Sequence, residues 1–224
     1  MEMIITVGKA QYEASARIFK NSRGEITTNY FQDDTLARSE EEIKASFQKM
    51  TGKEVFGVNY EKPMKIIAAI ATKIKAGEID PKRLYAKIKN QEVDLTNTNE
   101  QSVDFAGNYT IAVELPSQIE GKSIVDSAKK ASAEYKIDEA GEMTITDAST
   151  YNPYAALYRA GDVSTDVDKV KENDVFNADY RDVLPLLSLI AAGITTNKIS
   201  PEKLKTFIKA NANELAYEED EASL

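Results

Sequence analysis

A chain of 224 residues that is 42% hydrophobic and 29% charged carries enough apolar side chain to bury a core, which excludes a disordered polypeptide. Its formal charge of -9 excludes a protein whose whole surface grips a phosphate backbone, because nonspecific nucleic-acid affinity comes from clustered Lys and Arg. Cysteine and histidine are both absent, which rules out disulfides, thiolate metal sites and cysteine nucleophiles, and removes the usual general base near neutral pH together with the commonest transition-metal ligand.

The first residues, Met1 to Gly8, lack the basic and long apolar regions of a secretory signal, and no apolar run approaches the ~18 residues that a membrane span needs. A cytoplasmic protein, or one assembled into an intracellularly made particle, is the expectation. Met3 to Val7 reads as an opening strand. Ala16 to Lys20 and Glu25 to Phe31, on either side of Gly24, read as a β-hairpin. A first helix over about Ser39 to Thr51 presents Ile43, Phe47 and Met50 at helical spacing.

The next helix, roughly Met64 to Ala76, carries a wide apolar stripe of Ile66, Ile67, Ile70 and Ile74 and ends at Gly77, a residue suited to the left-handed C-cap conformation. A third helix begins cleanly, with Asp80 as N-cap, Pro81 at the first helical position, and Leu84 and Ile88 on its apolar face. Asn97 to Ser102 is a polar linker candidate.

Beyond it the chain says the same thing again. Val55, Phe56 and Tyr60 recur as Val175, Phe176 and Tyr180. Ile70, Ala71, Ile74, Ile79, Pro81, Leu84, Ile88 and Lys89 recur without a gap as Ile190, Ala191, Ile194, Ile199, Pro201, Leu204, Ile208 and Lys209. These eleven identities over the 37 positions from Glu54 to Asn90 far exceed the coincidence of about one in fifteen to twenty that ordinary residue frequencies give, so a duplicated domain is inferred. Ser200 stands where Asp80 stands, Asn197 where Gly77 stands, and Val163, Val167 and Val170 where the first helix has Ile43, Phe47 and Met50.

Upstream the offset falls from 120 to 117, aligning Ala14-Ser15-Ala16 with Ala131-Ser132-Ala133 and Gly24 with Gly141, and the second hairpin is read at Glu134 to Asp138 and Glu142 to Asp147. Thr6-Val7 aligns with Ala112-Val113 in a second opening strand, Tyr109 to Leu115. The second copy is then longer before its hairpin, and the extra Ser117 to Lys130 is read as a weak helix.

The fold class expected is therefore α+β: two tandem similar units, each a small antiparallel sheet or hairpin followed by a three-helix cluster with its own core. The units span residues 1–96 and 108–216, with a polar linker at 97–107 and an acidic tail at 217–224.

Motifs for chemistry are few. Gly121-Lys122-Ser123 ends like a phosphate-binding loop, but Pro116 stands where that loop needs glycine. Asp162, Asp166 and Asp168 have the wrong spacing for a calcium loop, and the adjacent Asp33-Asp34 pair has no partner to complete an acid and base. No cofactor, metal site or catalytic residue is assigned. The sharpest local feature is Tyr151, Tyr154 and Tyr158, which share one face if Asn152-Pro153 opens a helix. Internal packing on the 117–130 segment is the first reading and partner binding the second.

The function expected is a non-catalytic structural or assembly protein, a component of a virion or another large complex, with protein partners or self-association. The alternative is a nucleic-acid-binding accessory protein, using Lys82, Arg83, Lys87 and Lys89 with their repeat in Lys203, Lys205 and Lys209, regulated by the acidic tail.

Overall fold

A computed structural model describes residues 2–9, 12–20, 26–31, 53–98, 104–115, 118–119, 122–123, 129–151 and 175–217. Three strands open the chain, β1 (Glu2–Lys9), β2 (Tyr12–Lys20) and β3 (Ile26–Phe31), followed by α1 (Lys53–Phe56), α2 (Glu61–Lys75) and α3 (Pro81–Lys89). The chain continues with β4 (Gly107–Leu115), the short β5 (Gln118–Ile119) and β6 (Lys122–Ser123), β7 (Lys129–Ile137) and β8 (Met143–Tyr151), and with α4 (Tyr180–Thr195), α5 (Pro201–Ala210) and α6 (Ala212–Leu215).

The protein is α+β, as the residue pattern implies, but the strands of the two halves do not make separate sheets. They form one six-stranded antiparallel sheet in the order β3-β2-β1-β4-β7-β8. The seam is β1 against β4, where Ile4 to Lys9 pair with Glu114 to Tyr109. An opening strand with a hairpin partner on only one side leaves a row of unpaired amides and carbonyls on the other, and pairing the two opening strands satisfies both rows at once.

The registers on the two sides of the seam match. Thr6 and Ala112 face each other across it, Thr6 pairs outward with Ser15, and Ala112 pairs outward with Ser132. Farther out, Lys20 pairs with Ile26 and Ile137 with Met143. The second hairpin adds a bulge, since Glu134 faces Asp147 while Tyr135 faces Ile145.

Two expectations change. A separate core for each unit is replaced by one apolar cluster, in which Met3, Ile5 and Val7 join Tyr109, Ile111 and Val113 beneath Ile67, Ile70, Ile74, Leu187, Ile190 and Ile194. A shared sheet with helices on one face makes a single layer of core, so the halves could not stay apolar and separate. The helix read at 117–130 is also absent among the described residues. Gln118–Ile119 instead pairs with Lys122–Ser123 in a short ribbon, and Lys129 and Lys130 already belong to β7. In the sequence a glycine, Gly121, falls between these two pairs, and glycine is disfavoured inside a helix.

The helix boundaries follow the sequence signals closely. Asp80 accepts a hydrogen bond from the Lys82 amide at 2.8 Å and Ser200 one from the Lys203 amide at 3.4 Å, so both third helices are capped as their sequences direct. Gly77 and Asn197 adopt φ of 76° and 61° after the preceding helices, and Gly57 and Asn177 share the same handedness at 72° and 59°. The expected first helix at 39–51 and its counterpart lie outside the described residues.

Gly193, inside α4, is required by packing rather than by backbone freedom. A Cβ there would sit 2.4 Å from Ile199 Cδ1 and 3.1 Å from Ile199 Cβ, and Ile199 is itself buried. Gly193→Ala should therefore lose about 1–3 kcal/mol to overpacking, outweighing the gain of about 1 kcal/mol from helix propensity, and lower the urea midpoint without changing the slope. An unchanged or higher midpoint would contradict this packing.

Candidate interaction site between the halves

The helices of the two halves meet above the sheet: α3 packs against α4, and α2 against α4 and α5. Around this contact many of the polar links between the halves come in couples at equivalent positions. The amide of Asp80 donates to Leu215 O at 2.7 Å, and that of Ser200 donates to Leu95 O at 2.7 Å. Lys75 Nζ donates to Val175 O at 2.9 Å, while Thr195 Oγ1 donates to Val55 O at 3.3 Å. Lys82 pairs with Asp182 at 3.4 Å and Lys62 with Glu202 at 3.3 Å. Lys203 reaches Asp94 at 3.3 Å, and Arg83 Nη1 donates to Glu214 O at 3.3 Å. In each of these couples the two donors, or the two basic and acidic positions, are related by the sequence offset of 120.

The segments that cross are short. After α3 the chain runs through Leu95 to reach the start of α5, and after α5 it runs through Leu215 to reach the start of α3. Leu95 is 4% exposed and Leu215 fully buried, so each crossing strap is held by a leucine in the core as well as by its carbonyl. The straps thus satisfy the N-cap amides of the two third helices, groups that a helix cannot satisfy within itself.

Beside the first strap lies a cleft of about 840 Å³. Its floor is Ile88, Val93, Met143, Leu189 and Ala192, and its rim includes Lys89, Asp94, Asn97, Glu142 and Lys198. Of the rim charges, Lys198, Glu142 and Asp94 are engaged in contacts within the chain. Lys198 Nζ donates to Gly141 O at 2.9 Å and Glu142 Oε1 at 2.6 Å, and this contact holds the Glu142 carboxyl below the usual range. Asn97 bonds Asn197 twice, N to O at 3.1 Å and Nδ2 to Oδ1 at 3.1 Å. The cleft therefore offers apolar contact and amide edges.

Asp94 is held low first by hydrogen bonds from Thr96 and then by Lys203, and Asp179, the N-cap of α4, by Arg181. In the core Tyr109 and Tyr135 stack with centroids 5.3 Å apart, and burial pushes both phenols above their ordinary value. Tyr109 still donates to Phe105 O at 2.6 Å; among the described residues the Tyr135 hydroxyl has no partner.

The residues singled out from sequence fare unequally. Tyr151 is the last residue of β8 and pairs with Lys130, whereas Tyr154 and Tyr158 lie outside the described residues, as do Asp33, Asp34, Asp162, Asp166, Asp168 and the tail from Glu218 onward. Lys122 and Ser123 lie in β6. Of the two lysine faces, Lys82, Lys87 and Lys203 are ion-paired with Asp182, with Glu92 and Glu214, and with Asp94, while Lys89, Lys205 and Lys209 are exposed. The straps were missed, although an acidic residue followed by leucine recurs at Asp94-Leu95 and Glu214-Leu215 and extends the repeat past both third helices.

No family model matches the chain, and no curated protein or solved structure is similar enough to it to be matched. Among the described residues no group of acidic side chains is placed to hold a metal ion, and no helix is long and apolar enough to cross a membrane.

Truncating either strap should open a core cavity: Leu95→Ala and Leu215→Ala should each cost about 2–5 kcal/mol in urea unfolding, and a loss well under 1 kcal/mol for either would show that its strap does not clamp. The pH profile has a definite shape. Depressed carboxyls at Asp94, Glu142 and Asp179 contribute stability that is present above about pH 4 and lost as pH falls through their folded values. Raised phenols at Tyr60, Tyr109, Tyr135 and Tyr217 contribute stability that is present below about pH 10 and lost above it. With no histidine or cysteine side chain between them, thermal melts should give a level Tm from about pH 5 to 9. A step near pH 6 to 7 would break this account.

Proposed function

We propose that the chain is a duplicated α+β module, two similar units in tandem, serving as a non-catalytic structural or assembly protein within a virion or another large intracellularly assembled complex. The observation that carries the reading is where the recurring residues go. Val55 and Val175, Ile70 and Ile190, Ile74 and Ile194, and Leu84 and Leu204 are all buried in the common core. Other equivalent positions, Lys75 with Thr195 and Asp80 with Ser200, tie one half to the other. What the two halves hold in common is devoted to association, and the matched registers on either side of the β1–β4 seam fit a duplicated strand-and-hairpin unit. Equivalent but unequal surfaces suit a component that meets several neighbours in an assembly.

The nucleic-acid alternative draws on the same lysines, and the ion pairs of Lys82, Lys87 and Lys203 weigh against it by drawing their charge into contacts within the chain.

Size-exclusion chromatography with light scattering on the intact chain tests the proposal. Concentration-dependent mass above 24.8 kDa, or a stable complex with an identified protein, is the expected outcome, whereas a strict monomer at high concentration that co-purifies with nothing counts against it. In the same preparation, salt-sensitive binding of a labelled single strand would instead favour the nucleic-acid reading, because release of counterions makes such binding weaken as salt rises.

A further inference from the structure

The contacts between the halves are reciprocal in geometry but not in charge. Position 62 of the first half and position 182 of the second are equivalent, as are 82 and 202, yet the first half carries Lys62 and Lys82 where the second carries Asp182 and Glu202. The ion pairs Lys62–Glu202 and Lys82–Asp182 therefore each join a lysine of the first half to a carboxylate of the second, whereas Lys203–Asp94 runs the other way at positions whose equivalents, Arg83 and Glu214, keep the same signs. Two first halves docked in the same way would set Lys62 against Lys82, and two second halves would set Asp182 against Glu202. Either arrangement places like charges where the observed one has opposite charges within 3.4 Å.

We infer that the interface between the halves is a charge-sorted docking surface whose fitting partner is a half of the opposite kind, so that first and second halves recognise each other without being covalently joined. The inference rests on the duplicated-module reading and deepens it by naming the partner and what selects it. The apolar contact supplies affinity: the β1–β4 ladder, the leucines of the straps, and the packing of α3 on α4 and of α2 on α5 form a continuous interface rather than a point of contact. The straps add directionality, since each half leaves an N-cap amide, Asp80 or Ser200, that only the carbonyl of the other half's strap satisfies. The lysines and carboxylates add choice of partner, by penalising pairs of like kind.

A protease recognition sequence placed between Asn99 and Glu100 of the full chain, then cut to completion, tests this. Native mass spectrometry at micromolar concentration should show a single species containing one first half and one second half, and after unfolding in urea and refolding the same mixed pair should return in preference to pairs of like kind. Lys62, Lys82 and Glu202 are 76%, 72% and 64% exposed and Asp182 is 29% exposed, and none of the four belongs to the apolar core. K62E/K82E in the cut protein should weaken the pair about tenfold, and adding D182K/E202K to it should restore the affinity. Fragments that separate after cutting overturn the inference, and so do like pairs that form as readily as mixed ones or a fourfold variant that recovers nothing. None of these results alters the mass of the intact uncut chain, which tests the assembly reading separately.

Discussion

Two backbone hydrogen bonds, Asp80 N to Leu215 O and Ser200 N to Leu95 O, express the constraint on which the architecture depends. A helix start exposes amides that its own turn cannot satisfy, and here the chain supplies the missing acceptor at each third helix from the opposite half. Leu95 and Leu215 then fix where each strap lies, because a leucine buried in a close-packed core has little freedom to slide. With both straps in place α3 and α5 are oriented, α2 and α4 meet, and the opening strands are held side by side along the seam. The sheet and the helical layer thus close by the same exchange.

The local structure was legible in the sequence because its signals are short-range. Asp80-Pro81 and Ser200-Pro201 announced helix starts, Gly77 and Asn197 announced helix ends, and the 117 offset of Ala14-Ser15-Ala16 anticipated the matching registers of the two hairpins. The joining of two three-strand sets into one sheet was not legible. Nothing in the alternation of Ile4, Ile5, Thr6 and Val7 distinguishes a strand that ends a sheet from one that lies at its middle, since both present one apolar face. The straps escaped for a related reason: Leu95 lies two residues before the polar stretch Asn97 to Ser102 that reads as linker, and a single leucine past the end of a helix carries no periodic signal. Of the residues picked for partner binding, only Tyr151 falls within the described strands.

The halves differ where geometry allows it. Lys75 and Thr195 occupy equivalent positions and both donate to the carbonyl of an equivalent valine, one through a long ammonium and the other through a short hydroxyl lying closer to its helix. Gly193 stands where the first half has Lys73, and Ile199 fills the space that a side chain would take. Such pairs show one framework met by two packing solutions. Exposed ion pairs contribute little to stability in water, so the sign change between Lys62 and Asp182 bears on which surfaces meet rather than on how firmly they hold.

The place of β1 has a consequence for how the protein is made. It lies in the interior of the sheet, and the strand that covers its far side begins only at Gly107, so it leaves a ribosome well before that partner does. While the residues between β1 and β4 are made, its outer amides and carbonyls lack their partner, a condition in which a growing chain readily captures the wrong strand. That edge is satisfied only when β4 of the later half of the same polypeptide pairs with it.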